Sequence, residues 1–299
     1  MSGGRMLSRP VRFESQGETL AGVLLTPGEA RAPLPALVVA GAWFTVKEQM
    51  PLRYAQEMAV RGYAVLAFDF RGFGESGGAL RQRETPANKV ADLVAAAAYL
   101  AGRPEVDARR VGALGICAGA GYVVHAAAQA PVLRAVAVVA PWLQDRAIVE
   151  AVYGGAAGVQ ALRERGLAAR AEQARTGRQA FVPAASLEDE RALMFGAPYY
   201  TEPGRGVIPA WRNEADLAFW PDWLDFDSLA AAPGMRQPFA MVHAETAAVP
   251  QGAHAFFDAV SVPKRQLWLD GMTQFDFYDV DAPVREAGDF ADLHFQRYL

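Results

Sequence analysis

Four short apolar runs, each separated from the next by a helical pattern, constrain this chain more than any other feature. Leu34–Ala40, Tyr63–Phe68, Val111–Ile116 and Ala135–Ala140 lack polar alternation. Strands that read this way are covered on both faces. Between them, Pro51–Arg61 predicts a helix with Pro51 in its first turn and Gly62 as its stop. Val90, Leu93, Val94, Ala97 and Leu100 recur at helical spacing, and Ala118–Ala130 follows as a third helix. This alternation implies a parallel sheet with helices on both faces. Upstream, Val11–Ser15 and Thr19–Thr26 flank Gln16-Gly17-Glu18 and predict a hairpin. From Trp142 to Pro233 the rhythm stops in a helix- and loop-rich stretch. Strands resume at Phe239–Val242 and Gln266–Leu269, with helices at Pro250–Val260 and Val284–Tyr298. The expected organisation is an α/β core over residues 1–141 and 234–299. Residues 142–233 are expected as an inserted helical cap, being too long for a connection.

Composition narrows the function classes. A length of 299 residues suits one large α/β domain. The formal net charge of -4 offers no basic footprint for nucleic acid. A single cysteine excludes an internal disulfide and a cysteine-built metal cage, and no metal or organic cofactor is expected. No apolar run is long enough to span a membrane. Met1–Pro10 lacks the apolar core of a signal peptide, so a cytoplasmic location is expected. The expected partner is a small-molecule substrate, and a homodimer is left open.

Gly115-Ile116-Cys117-Ala118-Gly119 joins the third apolar run to its helix. This is the spacing of a nucleophile elbow, with cysteine at the nucleophile. The turn is so tight that the residues two before and two after must be small. In return, the side chain is raised above the sheet at a helix N-terminus. There the helix dipole is expected to favour a thiolate, and the Ala118 N–H can hold an oxyanion. A buried filler cysteine is the alternative.

With these residues the chain resembles the α/β-hydrolases. It is similar to the dienelactone-hydrolase-like and polyketide-transferase-like branches that carry a helical insertion. The resemblance covers nearly the whole chain and implies a mostly parallel eight-stranded sheet. Gly41–Glu48 occupies the family's oxyanion loop, which implies an oxyanion hole from the N–H groups of Ala42 or Trp43 and of Ala118. Asp69–Ser76 resembles the D-x-R-G-x-G-x-S loop, where Asp69 and Arg71 are expected as a structural ion pair. The family's histidine base falls at Gln274, which cannot carry a proton away. Its acid falls at Thr246, with Glu245 as a neighbouring substitute. Asp145 is another place where the family sometimes puts the acid. Of the four histidines, His125 lies about 12 Å of helical rise beyond Cys117. His254 and His294 read as helix residues. His243 ends a strand near the site and is the one histidine that could stand in for the base, with a structural or substrate-contacting role favoured.

Without a base, a thiol is still partly ionised, whereas a serine hydroxyl is not. Attack on an ester, thioester or lactone carbonyl therefore survives, while deacylation by water is handicapped. Acyl transfer or cyclisation is favoured over hydrolysis. A non-hydrolytic lyase, isomerase or cyclase using the oxyanion hole is the alternative, and a ligand-binding protein without turnover is a third. The substrate-binding expectation is Trp43, Phe44, His243, Tyr199, Tyr200, Trp211, Trp220, Trp223, Asp276 and Tyr278. The aromatic members would wall an apolar cleft.

Overall fold

The computed structural model describes residues 6–28 and 33–299. The expectation about the amino terminus therefore lies partly outside the described residues. Eight strands form one sheet: β1 (Met6–Ser15), β2 (Glu18–Pro27), β3 (Leu34–Ala40), β4 (Ala64–Phe68), β5 (Val106–Ile116), β6 (Leu133–Val139), β7 (Phe239–His243) and β8 (Lys264–Trp268). Their spatial order is β1-β2-β4-β3-β5-β6-β7-β8. β1 pairs antiparallel with β2, and β2 antiparallel with β4. Every pairing from β4 to β8 is parallel. All five residues of β4 and of β7 are buried, as strands covered on both sides must be.

The helices between strands are α1 (Met50–Val60), α2 (Pro86–Ala101) and α3 (Ala118–Gln129). Proline opens both α1 and α2, where its missing N–H costs nothing. Between β6 and β7 lie α4 (Arg146–Val152), α5 (Gly155–Thr176) and α6 (Trp220–Leu224). The chain ends with α7 (Pro250–Ala259), α8 (Asp276–Asp279) and α9 (Asp281–Tyr298). α1 packs on α9 against one face of the sheet, and α2 packs on α3 against the other. The stretch between β6 and β7 is less helical than the sequence suggests. It also holds two short ladders, Phe181–Val182 with Ala215–Asp216 and Ala185–Ser186 with Met194–Phe195. Arg163 bonds both oxygens of Asp225, and Arg170 pairs with Asp222, so α5 is tied to α6.

One expectation about charged groups is corrected here. Asp69 and Arg71 do not pair with each other. Asp69 accepts from the Lys47 backbone N–H and ammonium, each at 2.8 Å. Arg71 instead pairs with buried Asp92 at 2.6 Å. Asp145 caps α4, accepting from the Ile148 N–H at 2.9 Å. A carboxylate there satisfies a helix-end donor that would otherwise have no partner.

His243 and His294 are 0% and 1% exposed. Burial pulls each from its ordinary 6.5 to about 4. Both rings are thus neutral when folded, and the unfolded chain takes up their protons first. Their contribution to stability is full above about pH 6.5 and is lost as the pH falls toward about 4. Urea midpoints are expected to fall steadily between about pH 7 and about pH 4.5. A flat series would contradict it.

Candidate active site

Backbone strain gathers at the carboxyl ends of the central parallel strands. Among the described residues, six non-glycine residues have positive φ. Four of them, Phe44, Cys117, Ala140 and Val249, follow β3, β5, β6 and β7. Such conformations persist where the surroundings over-determine them, and they concentrate at functional sites.

Cys117 stands between β5 and α3 with φ +54°. The glycines around it have no room for a side chain. A methyl group at Gly119 would lie 2.5 Å from the Gly41 carbonyl oxygen. One at Gly115 would lie 2.7 Å from the Ala120 Cα. The elbow therefore packs directly on the loop after β3.

The Cys117 sulfur faces a cavity of about 470 Å³. The Tyr278 hydroxyl, the Ala118 and Trp43 N–H groups and the Gln274 side chain lie around it. Of the two loop candidates, Trp43 and not Ala42 lines the cavity. Burial pushes the thiol up, because desolvation disfavours its charged form. The expectation that the helix N-terminus enriches the thiolate is thereby corrected.

Gln274 is held on three sides. Its Nε2 donates to the Ala140 carbonyl at 2.8 Å and to the Tyr278 hydroxyl at 3.1 Å. Its Oε1 accepts from the Ala248 N–H at 3.0 Å. A backbone donor thus occupies the place where an acid would orient a histidine. Val249, in left-handed geometry before Pro250, shapes the turn beside that N–H.

The acid candidates do not join the site. Glu245 is exposed and contacts His254 at 2.8 Å. Thr246 is exposed and donates to the Met272 carbonyl at 2.7 Å. Asp276 accepts from the Thr273 N–H and hydroxyl, each at 2.7 Å, and closes a turn. Among the described residues, no histidine lines the cavity. His125 contacts the Asp227 carbonyl and His294 the Pro238 carbonyl. His243 is sealed beside Trp268, with ring centroids 5.2 Å apart.

The predicted aromatics divide between cavity and core. Trp43, Tyr200, Trp223 and Tyr278 line the cavity. Phe44, Tyr199, Trp211 and Trp220 are absent from its walls and pack behind them. Phe44 meets Phe219 edge-on at 5.2 Å, and Trp220 lies 4.4 Å from Phe219. Trp211 donates to the Phe44 carbonyl at 2.8 Å. Tyr199 meets Tyr278 edge-on at 5.1 Å. Sequence reasoning missed Trp142, Val152, Tyr153, Leu193, Met194 and Phe275, which also line the cavity. Nothing in their spacing marks them, and all but Phe275 reach the cavity through the path of the chain between β6 and β7.

Against the loop after β3 lies a buried charge cluster that the sequence also did not reveal. Glu84 and Lys89 are 0% and 1% exposed and lie 2.6 Å apart. The Lys89 ammonium faces the rings of Phe70, Phe73 and Tyr122. Glu84 also accepts from the Phe44 N–H at 3.3 Å and from the Tyr122 hydroxyl. It thereby joins the loop after β3 to the elbow helix. Near it, Glu48, Asp69 and Glu75 surround the Lys47 ammonium at 2.6–2.8 Å. That carboxylate group is already filled by a cation of the chain itself.

Comparison with known proteins agrees with this architecture. The profile of the X-Pro dipeptidyl-peptidase (S15) family matches residues 16–273. Protein YcjY of Escherichia coli K12 is 31% identical over 260 residues, covering 84% of this chain and 85% of YcjY. Protein PA2218 of Pseudomonas aeruginosa is 30% identical over 282 residues, covering 91% of this chain and 76% of PA2218. The crystal structure of PA2218 superposes with a TM-score of 0.89 and 27% identity, covering 100% of this chain and 95% of that one. The thiohydrolase AneE of Aspergillus aculeatus is 30% identical over 52% of this chain and 48% of its own length. In fold alone, a dienelactone hydrolase from Anabaena variabilis matches with a TM-score of 0.61 and 14% identity, covering 98% of this chain and 99% of that one. The extent of the family match and the coverage of these relatives show that the chain belongs to the S15 family and has the α/β-hydrolase fold.

Proposed function

We propose that the protein moves an acyl group from a thioester by way of Cys117, without a histidine base. One observation carries this reading. The donors of Tyr278, Ala118 and Trp43 surround the Cys117 sulfur, in a cavity lined, among the described residues, by no imidazole, carboxylate or ammonium. Such a site steadies negative charge on a carbonyl oxygen beside the sulfur, but removes no proton. A departing thiolate needs no proton donor, whereas a departing alkoxide or amine does. In the first step a bond forms between the Cys117 sulfur and the acyl carbon, and the carbon–sulfur bond to the leaving group breaks. The thiol proton ends on the departing thiol. In the second step an amine, thiol or C–H acid of the substrate bonds to the acyl carbon, the bond from that carbon to the Cys117 sulfur breaks, and the proton the acceptor loses returns to the sulfur. Water is a poor acceptor here, because Gln274 cannot activate it.

Residues 142–233 act as a cap in this reading, supplying Trp142, Tyr153, Leu193, Met194, Tyr200 and Trp223 to the walls. A thiohydrolase among the relatives supports thioester chemistry. The uncharged walls disfavour dipeptide release from a peptide amino terminus, since nothing in them would hold the ammonium. The upward shift of the thiol favours a second reading, in which the oxyanion hole steadies an enolate with no covalent step. Incubation with N-acetylcysteamine thioesters, followed by intact-mass measurement, separates the two. Acyl transfer requires a Cys117 adduct that Cys117→Ala lacks. Full activity of Cys117→Ala on a carbonyl substrate would establish the second reading. Tight binding with no turnover would leave a ligand-binding protein.

The orientation of Gln274 gives a further expectation. Ala248 presents an N–H where a triad carboxylate would accept one. A histidine at 274 is therefore held with its hydrogen on the nitrogen that faces Cys117, the wrong tautomer for a base. Gln274→His alone is expected to leave p-nitrophenyl ester hydrolysis within about threefold of wild type. A hundredfold rise would show that the imidazole had found another acceptor.

A further inference from the structure

Two tyrosine hydroxyls at the Cys117 cavity hold hydrogens that no described residue accepts. Both belong to the stretch between β6 and β7. Tyr153 lines the cavity and accepts the Trp223 indole hydrogen at 2.7 Å. That contact uses its oxygen as an acceptor and leaves its own hydrogen free. Tyr200 is 3% exposed and lines the same cavity, and its hydroxyl makes no hydrogen bond among the described residues. Tyr278 differs, because its oxygen already accepts from Gln274 at 3.1 Å.

Neither hydroxyl can easily turn away. The Tyr200 ring is wedged between Trp211 at 5.5 Å and Phe275 at 6.2 Å. The Tyr153 ring is held edge-on against Trp220 at 5.4 Å, besides its bond to Trp223. A hydroxyl facing a cavity is completed by water or by what the cavity binds. The other side chains this stretch gives the wall, Trp142, Val152, Leu193, Met194 and Trp223, include no oxygen acceptor.

We infer that the Tyr153 and Tyr200 hydroxyls form a donor subsite for an oxygen of the acyl chain beyond its reacting carbonyl. The preferred substrate is then an acyl thioester bearing a ketone or comparable acceptor, and a plain saturated acyl group is discriminated against. The acyl-thioester part of this inference rests on the proposed role of Cys117. The subsite itself rests on the two unpaired hydroxyls.

The test uses two length-matched pairs of N-acetylcysteamine thioesters, butyryl with acetoacetyl and pentanoyl with levulinoyl. Wild type, Tyr153→Phe, Tyr200→Phe and the double variant are compared by kcat/KM. At least one oxo-acyl member should be preferred by about tenfold or more in wild type, as one charge-free hydrogen bond allows. The preference should shrink in each single variant and approach unity in the double variant. Equal rates for both members of both pairs in wild type, or an undiminished preference in the double variant, would overturn the subsite. A binding arm separates this from the role of Cys117. Acetylacetone and pentan-2-one are titrated against Cys117→Ala, with and without the two tyrosine changes, by tryptophan fluorescence. If no thioester reacts but acetylacetone binds more tightly only when the hydroxyls are present, the subsite stands and acyl transfer falls. If thioesters react without preference and the two ketones bind alike, acyl transfer stands and the subsite falls.

Discussion

Cys117→Ser is expected to lower acyl transfer from thioesters by about a thousandfold, nearly as much as Cys117→Ala. In an enzyme with a histidine base the serine variant would retain appreciable function, because the base deprotonates the hydroxyl. Here the residue in that place is an amide whose two hydrogens already go to Ala140 and Tyr278. Only a thiol ionises readily enough to act unaided. The pH profile gives an independent check. Burial raises the thiol, so the wild-type rate should climb with pH through about pH 9, without the plateau near pH 7 that an imidazole base produces. Released thiol measured across that range provides the readout. A serine variant that keeps a tenth of the wild-type rate would mean that some other group takes the proton.

Glu84→Ala is expected to destabilise the fold by about 3–5 kcal/mol. The change leaves the Lys89 ammonium buried without its carboxylate, faced only by aromatic rings. It also removes the acceptor for the Phe44 N–H, next to Trp43 in the cavity wall. Glu84→Gln combined with Lys89→Met keeps the shape and removes both charges, so it should recover most of the loss. Urea denaturation of the three proteins at neutral pH measures this. Equal midpoints for wild type and Glu84→Ala would show that the buried pair contributes nothing to stability.

The fold was legible because burial on both sides leaves a direct mark. The apolar runs at Leu34–Ala40 and Val111–Ile116 stand where β3 and β5 lie. The elbow was legible because its geometry excludes side chains at Gly115 and Gly119. Gln274 could be placed by counting from the last strand, and it does lie beside Cys117. The group that orients it could not be found this way. Every residue carries a backbone N–H, so no letter distinguishes Ala248. Counting pointed instead to Thr246 and Glu245, which the same turn directs outward. The D-x-R motif misled in a similar manner. Asp69 and Arg71 are two residues apart, but their partners Lys47 and Asp92 come from other segments.

The order of amino acids alone determined the strand-and-helix succession and the strained corner bearing Cys117. These depend on side-chain size and apolarity within a few neighbouring residues. Tertiary structure alone decided which aromatics face the cavity, which charges meet in the interior, and in which direction the thiol titrates. Each of these depends on groups far apart in the chain, and on how much water the assembled body excludes.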